Sequence, residues 1–395
     1  MPKLERKVPA KSGLGFLMAL LLCAASAQTQ TSPVAKEGTV YGRRVLLVAN
    51  DKLEVAITEQ GGSMLRILIQ GDPDGLNPFG NPEMLPQIPE NRKLQGPMVG
   101  HFVCVDGFGP PSDQERAAGV PMHGEAYLQS WKLGAAEKQG RTTTVKFNVD
   151  LPLLQESLTR TLQMVDGENV IYVDSELESK TAFDRVLNWG EHPYFFPPFF
   201  EAEKTVVNLS GTRARTRTYP AAQRRLGIKP SEDFTWPMAH DRDGKPLDLS
   251  IAPANANWMG HTTTLMDPSR RLVYATILNT ARRYLLGYLF RREEFPWLQG
   301  YMNYSTDGWL ARAVEFATQP FDRPRREMIE LNTMFGTPVY RWLPAKSKVS
   351  SAFILFYLRT PAGMTGVKDV RSEPGKIFIE GLKGEVIVVP ASRSL

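Results

Sequence analysis

Three polar side chains stand in contexts that suit proton transfer. His192 lies in residues 187–200, LNWGEHPYFFPPFF, between Glu191 and Pro193 and among Trp189, Tyr194, Phe195, Phe196, Phe199 and Phe200. Pro193 pushes His192 toward extended backbone, and Pro197 and Pro198 stop a helix or central strand from continuing. An imidazole held at a strand end beside flat rings suits a pocket for a molecule polar at its edges and apolar on its faces, such as a sugar ring. A core histidine beneath an aromatic lid is the alternative. His123 stands in residues 121–127, PMHGEAY, where Gly124 lets backbone approach a ligand closely. Glu315 falls in mid-strand, with Ala311, Ala313 and Ala317 on its face by two-residue alternation. Small neighbours leave space, and a core does not tolerate an unpaired carboxylate, so Glu315 needs a ligand or a buried pair with Arg312 or Arg341.

The elements that position these groups belong to a chain of 395 residues, 42% hydrophobic and 23% charged, which are ordinary globular values. Residues 1–27 read as a secretory signal peptide: Lys3, Arg6, Lys7 and Lys11 make a basic start, 13–25 is an apolar run too short to span a bilayer, and Ala25-Ser26-Ala27 suits cleavage. A lipid anchor on Cys23 is the rival, opposed by the bulky Leu22 before it. Removal of the leader lowers the formal charge from +5 to +2, which gives little support to a nucleic-acid surface. Cys23 would leave too, so Cys104 could form no intrachain disulfide. A secreted or periplasmic protein follows, with no membrane attachment after cleavage. Residues 28–37 read as a polar, disordered linker to one domain spanning 38–395.

From Val40 the pattern is β. Residues 45–48 and 53–57 flank Asn50-Asp51 as a hairpin, and 64–69 follow the pair Gly61-Gly62. Residues 71–92, rich in Pro, Gly, Asp and Asn, read as loop. The clearest hairpin is 158–177, turning at Asp166-Gly167. Further strands are expected at 143–149, 272–278, 284–290, 311–318, 352–358, 376–379 and 385–389. No long helical stripe follows the leader, so the expected fold is all-β: one large, mostly antiparallel β-sandwich with long loops. The arginines of 213–225, interspersed with acids nearby, read as a solvated mixed-charge surface.

A DG-turn hairpin, then His192-Pro193-Tyr194-Phe195, then a mid-strand glutamate resembles the aldose 1-epimerase (galactose mutarotase) family over about residues 40–360. Gly61-Gly62 is similar to the family's early glycine pair, His123-Gly124 with Trp131 to its HG…W segment, and Val314-Glu315 before Gln319-Pro320 to its glutamate strand. The resemblance implies the galactose mutarotase-like supersandwich. It also implies His192 as the acid that protonates the ring oxygen, Glu315 as the base that takes the anomeric proton, and His123 as a hydrogen-bonding partner of the ring oxygen or a hydroxyl. The chain departs from the family at Gly100-His101-Phe102-Val103, where many members carry arginine and asparagine. The family's substrate-holding aspartate has no clear counterpart; Asn255, Asn257 and His261 occupy about its place, and Asn257 is the expected hydroxyl binder. Residues 123–126 also resemble the hexose-6-phosphate epimerase branch, whose nearby arginine is Tyr127 here.

Opening a hemiacetal needs one group to give a proton as another takes one, and closing it needs the pair reversed. A carboxylate and an imidazolium near neutral pH would provide this without metal or cofactor. The five histidines show no short metal-binding spacing. Tyr194 and Trp297, with Trp189, Tyr301, Tyr304 and Trp309, are the aromatics considered for stacking on a sugar, one or two of them in the pocket itself. The expected activity interconverts the α and β anomers of an aldose. A non-catalytic carbohydrate-binding protein on the same scaffold, or a polysaccharide lyase or hydrolase, are the alternatives. Oligomeric state is not legible.

Overall fold

The computed structural model describes residues 1–2, 35–80, 98–218, 225–305 and 309–395. Residues 3–27 of the expected leader and most of the linker lie outside the described residues, as does the whole 81–92 part of the expected loop. One boundary moves: the strand Ala35–Val40 pairs antiparallel with Arg43–Ala49, so residues 35–37 belong to the sheet rather than to a linker.

Among the described residues, two large antiparallel sheets form the body. One has thirteen strands; five consecutive members of it are His101–Val105, Trp189–Phe195, Leu310–Ala317, Trp297–Tyr304 and Met259–Met266. The other has nine, with the DG hairpin Glu156–Val165 and Val170–Ser179 beside Lys348–Arg359 and Tyr284–Arg291. Gly167 in that turn has φ +90°, a conformation glycine adopts without Cβ strain.

Side-chain alternation sorts each site strand into two faces. Val103, Val105, Trp189, Phe195, Leu298, Met302, Val314 and Phe316 point into the core between the sheets. Their neighbours in sequence therefore point to the other face of the thirteen-stranded sheet, where Phe102, Cys104, Tyr194, Ala311, Ala313 and Ala317 pack in smaller clusters. The nine-stranded sheet is covered on both faces: a C-terminal sheet of Val367–Glu373, Lys376–Gly381 and Val386–Pro390 packs Val370, Ile377 and Ile379 against Tyr172, Leu285, Leu289 and Phe356. Double burial explains why LVYATILN and YLLGYLFR read as continuous apolar runs rather than alternating ones.

The core between the sheets also holds a buried polar cluster. Glu191 accepts bonds from Arg160 Nη2 at 2.8 and 2.9 Å and from Trp189 Nε1 at 3.3 Å, and lies 2.9 Å from His101 Nε2. His101 thus stands on the face opposite to His192, at the point where the sequence departs from the family pattern.

Candidate active site

The register of the two central strands sets the site. Glu191 pairs with Phe316 and Tyr194 with Ala313, which puts His192 level with Glu315 on neighbouring strands. Their parity sends both side chains away from the sandwich core, and His192 Nε2 lies 3.5 Å from Glu315 Oε1. Adjacent strands add Phe102, opposite His192, and Tyr301, opposite Ala313; His261 pairs in turn with Tyr301. Five neighbouring strands therefore present one row of side chains to a cavity of about 230 Å³, which Met98, Met122, His123, Tyr194 and Asp322 complete. A larger cleft of about 740 Å³ runs beside Arg44, Glu59 and Trp131, but its lining holds no histidine to pair with its acids.

The alanines flanking Glu315 do what their size suggests: Ala313 and Ala317 leave the carboxylate open to the cavity. Neither arginine considered as its partner reaches it. Arg312 points into the sandwich, where it donates to Tyr304 Oη at 3.1 Å and to the Leu249 carbonyl at 3.0 Å, and Arg341 donates to the Ser350 carbonyl.

His192 is stacked on Phe102, with ring centroids 4.3 Å apart and planes at 20°, and meets His123 edge-on at 5.3 Å. His123 comes from the loop after His101–Val105. Its φ is +62°, and Gly124 follows at +75°, so close to the Val105 carbonyl that a Cβ there would lie 2.0 Å from the oxygen. The glycine of the HG motif is thus required by backbone contact. The Gly109 N–H donates to His123 Nδ1 at 3.1 Å, which leaves the proton of a neutral ring on Nε2 as a donor.

Burial is the main cause of the pKa shifts at the site. It pushes the pKa of Glu315 well above the ordinary carboxylate range, helped by the negative charge of Asp322 and opposed by Arg217. It pushes His192 well below the ordinary imidazole value, with His123 adding to the effect, and it lowers His123 to about 4. Burial thus works against each charge of the expected carboxylate–imidazolium pair, and that pair is supported only by the 3.5 Å approach of its members.

Of the other residues considered in the sequence, Tyr194 and Tyr301 line the cavity, their rings stacked 6.1 Å apart. Trp297 does not. It shares a face with Glu315 but pairs with Ala317, one rung beyond the Gln299–Glu315 pair, and is fully buried under Met328, Met334 and Val339 with its Nε1 donating to the Pro338 carbonyl at 3.0 Å. Asn257 is exposed in the turn before Met259–Met266 and is absent from the cavity lining; His261, from the same segment, takes the place expected for it. Trp189 and Tyr304 lie in the central core and Trp309 packs on Phe196.

Asp322 and Arg217 were not singled out from the sequence. Asp322 follows the Glu315 strand and forms an ion pair with Arg217, whose Nη2 also donates to the Asp322 carbonyl at 3.2 Å. Arg217 Nη1 lies 3.0 Å from His261 Nδ1, and since guanidinium only donates, His261 accepts there and is neutral on that nitrogen. Burial holds His261 at about 4 against the pull of Asp322. Arg217 departs from the mixed-charge surface expected of the 213–225 arginines, whereas Arg213 and Arg215 fit it, both pairing with Asp233.

The sequence matches no protein-family model and no curated protein. The backbone does match solved structures. A galactose mutarotase-like protein of Clostridium acetobutylicum is 13% identical with a TM-score of 0.58, over 83% of this chain and 99% of that one. A candidate aldose 1-epimerase of Klebsiella pneumoniae is 15% identical with a TM-score of 0.56, over 80% of each chain. A galactose mutarotase related enzyme of Lactobacillus acidophilus is 11% identical with a TM-score of 0.53, over 80% and 98%. Together with the two antiparallel sheets and their strand order, these likenesses show that the chain has the galactose mutarotase-like fold.

Proposed function

We propose that the protein is an aldose 1-epimerase-like isomerase that interconverts the α and β anomers of an uncharged aldose. The observation that carries this reading is the His192–Glu315 pair, 3.5 Å apart on the floor of a cavity of about 230 Å³. That volume is below the range of about 300–1,000 Å³ typical of drug-sized ligands and suits one small polar ring.

The chemistry follows from proton counting. His192 gives a proton to the ring oxygen while Glu315 takes one from the anomeric hydroxyl; the bond from C1 to the ring oxygen breaks and C1 becomes an aldehyde. Rotation about C1–C2 turns the other carbonyl face toward the ring hydroxyl, and closure runs the same transfers backward. Opening takes the pair from imidazolium and carboxylate to neutral imidazole and carboxylic acid, so the two transfers leave the net charge of the buried site unchanged. His123, with its Nε2–H, is placed to donate to the ring oxygen or a neighbouring hydroxyl. Asp322, oriented by Arg217, supplies a hydroxyl-accepting carboxylate, the group for which the sequence offered no clear counterpart. It also disfavours a phosphate or carboxylate on the substrate, since Arg217 is already engaged.

The test is polarimetry on freshly dissolved α-D-glucose, α-D-galactose and a panel of other neutral aldoses. Pure protein should speed the approach to equilibrium, and Glu315→Gln should cost about two to four powers of ten in rate. No acceleration with any sugar of the panel refutes the proposal. Export through the leader at 1–27 is part of the same reading, because free aldoses are met outside the cytoplasm; N-terminal sequencing of the mature protein should begin at Gln28.

A further inference from the structure

Behind the cavity wall, residues 106–109 lie between the two loops that carry His123 and Asp322. On one side the Gly109 N–H donates to His123 Nδ1 at 3.1 Å, and the Gly109 carbonyl accepts from the His123 N–H at 3.0 Å. On the other side Gly109 rests on the Asp322 main chain; a Cβ at Gly109, whose φ is +87°, would lie 2.2 Å from the Asp322 carbonyl oxygen. One residue thus touches both polar walls.

The segment is anchored by a fully buried acid. Asp106 Oδ2 lies 2.7 Å from Arg185 Nη2 and its Oδ1 3.6 Å from Arg325 Nη2, while Arg325 also donates to the Asp106 carbonyl at 3.1 Å. Arg185 comes from the short strand Arg185–Leu187, where it also pairs with Glu156, and Arg325 opens the helix Arg325–Leu331. Asp106 itself sits at φ +51°; its N–H donates to the Asn188 carbonyl at 2.7 Å, and its Oδ1 accepts from the Asn188 N–H at 3.3 Å. An unpaired carboxylate at this depth would be costly, so both guanidinium groups are held to it and the helix after Asp322 is tied to the loop before His123.

We infer that residues 106–109, clamped at Asp106 by Arg185 and Arg325, form a positioning strut that fixes His123 and Asp322 relative to one another across the cavity. Asp106 touches no substrate; it acts through Gly109. The structural claim stands without the proposed reaction, and its effect on turnover rests on that reaction.

The experiment records histidine side-chain ¹⁵N spectra of the full chain, labelled at histidine, with the His123 signal assigned by its loss in His123→Asn. Wild type should show His123 as a single neutral form protonated on Nε2. In Asp106→Asn and in Arg325→Gln the Gly109 bond should loosen and His123 should show a mixture of the two neutral forms, while the His192 signals stay in place. Circular dichroism checks that each variant is folded; Arg325 is partly exposed, so its variant keeps the test open if the Asp106 variant does not fold. A kinetic arm should show kcat/KM for the sugar reduced roughly ten- to hundredfold, as expected for misplacement on the order of 1 Å. Unchanged His123 signals in folded variants overturn the strut. Altered signals with no wild-type mutarotation would uphold the strut and sink the proposed function.

Discussion

Lowering the pH from 7 to 5 should weaken the wild-type fold relative to His261→Asn by about 2 kcal/mol, and the figure follows from where His261 sits. The residue is 4% exposed, its Nδ1 accepts from Arg217, and burial lowers its pKa to about 4 from the ordinary value of 6.5. Between those two values the unfolded chain binds a proton that the folded chain refuses. The stability contributed by the neutral ring is therefore complete above pH 6.5 and is lost as pH falls toward 4. At about 1.4 kcal/mol per pH unit, the loss at pH 5 is about 2 kcal/mol. Other groups add their own pH dependence, His192 and Glu315 with opposite signs because one is shifted down and the other up. Comparison with His261→Asn cancels them, and the Asn oxygen can accept the Arg217 N–H as Nδ1 does. Urea unfolding of both proteins at pH 7, 6 and 5 measures the gap. The variant, less stable at pH 7, should gain on the wild type as pH falls; a gap that stays constant would refute the neutral, buried state assigned to His261.

Other substitutions separate site from scaffold. Asp322→Asn should raise KM for the sugar by about ten- to hundredfold, the worth of a hydrogen bond to a charged acceptor, with a smaller change in kcat. Asn257→Ala, in an exposed turn, should leave KM alone and shift stability by no more than about 0.5 kcal/mol. Trp297→Ala should cost about 3–5 kcal/mol in chemical unfolding, because it empties a packed site under residues 328–339. Glu191→Ala, which strands Arg160 in the core without its counter-charge, should cost about 3–5 kcal/mol; if the loss is under 1 kcal/mol, the cluster carries no ion pair.

The β-pattern was legible because each strand either alternates, as around Glu315, or runs apolar where both faces are covered. Glu315 and His192 were legible for the same reason. An acid among alanines and an imidazole among aromatics contradict their surroundings, and only a shared opening reconciles them. Aromatic identity carries less information. Trp297 and Tyr301 lie on one strand and one face, yet the register puts Trp297 level with Ala317, beneath a covering loop, and Tyr301 level with Ala313, on the cavity. Face is written in the parity of the sequence; rung depends on how strands pair and on which loop crosses them.

The same limit explains Asp322 and Arg217. Each sits in a loop or strand end whose local sequence reads as solvated charge, and 105 positions separate them. What defines them is a meeting set by the paths of two loops, one of them braced through Gly109. Charge state was hidden for a related reason. Residue types suggested a carboxylate and an imidazolium, whereas the depth of the row across five strands pushes the Glu315 pKa up and that of His192 down. The scaffold thus bears on the proposed chemistry through burial as much as through placement: a shallower sheet face with the same three residues would shift the Glu315 and His192 pKa values less.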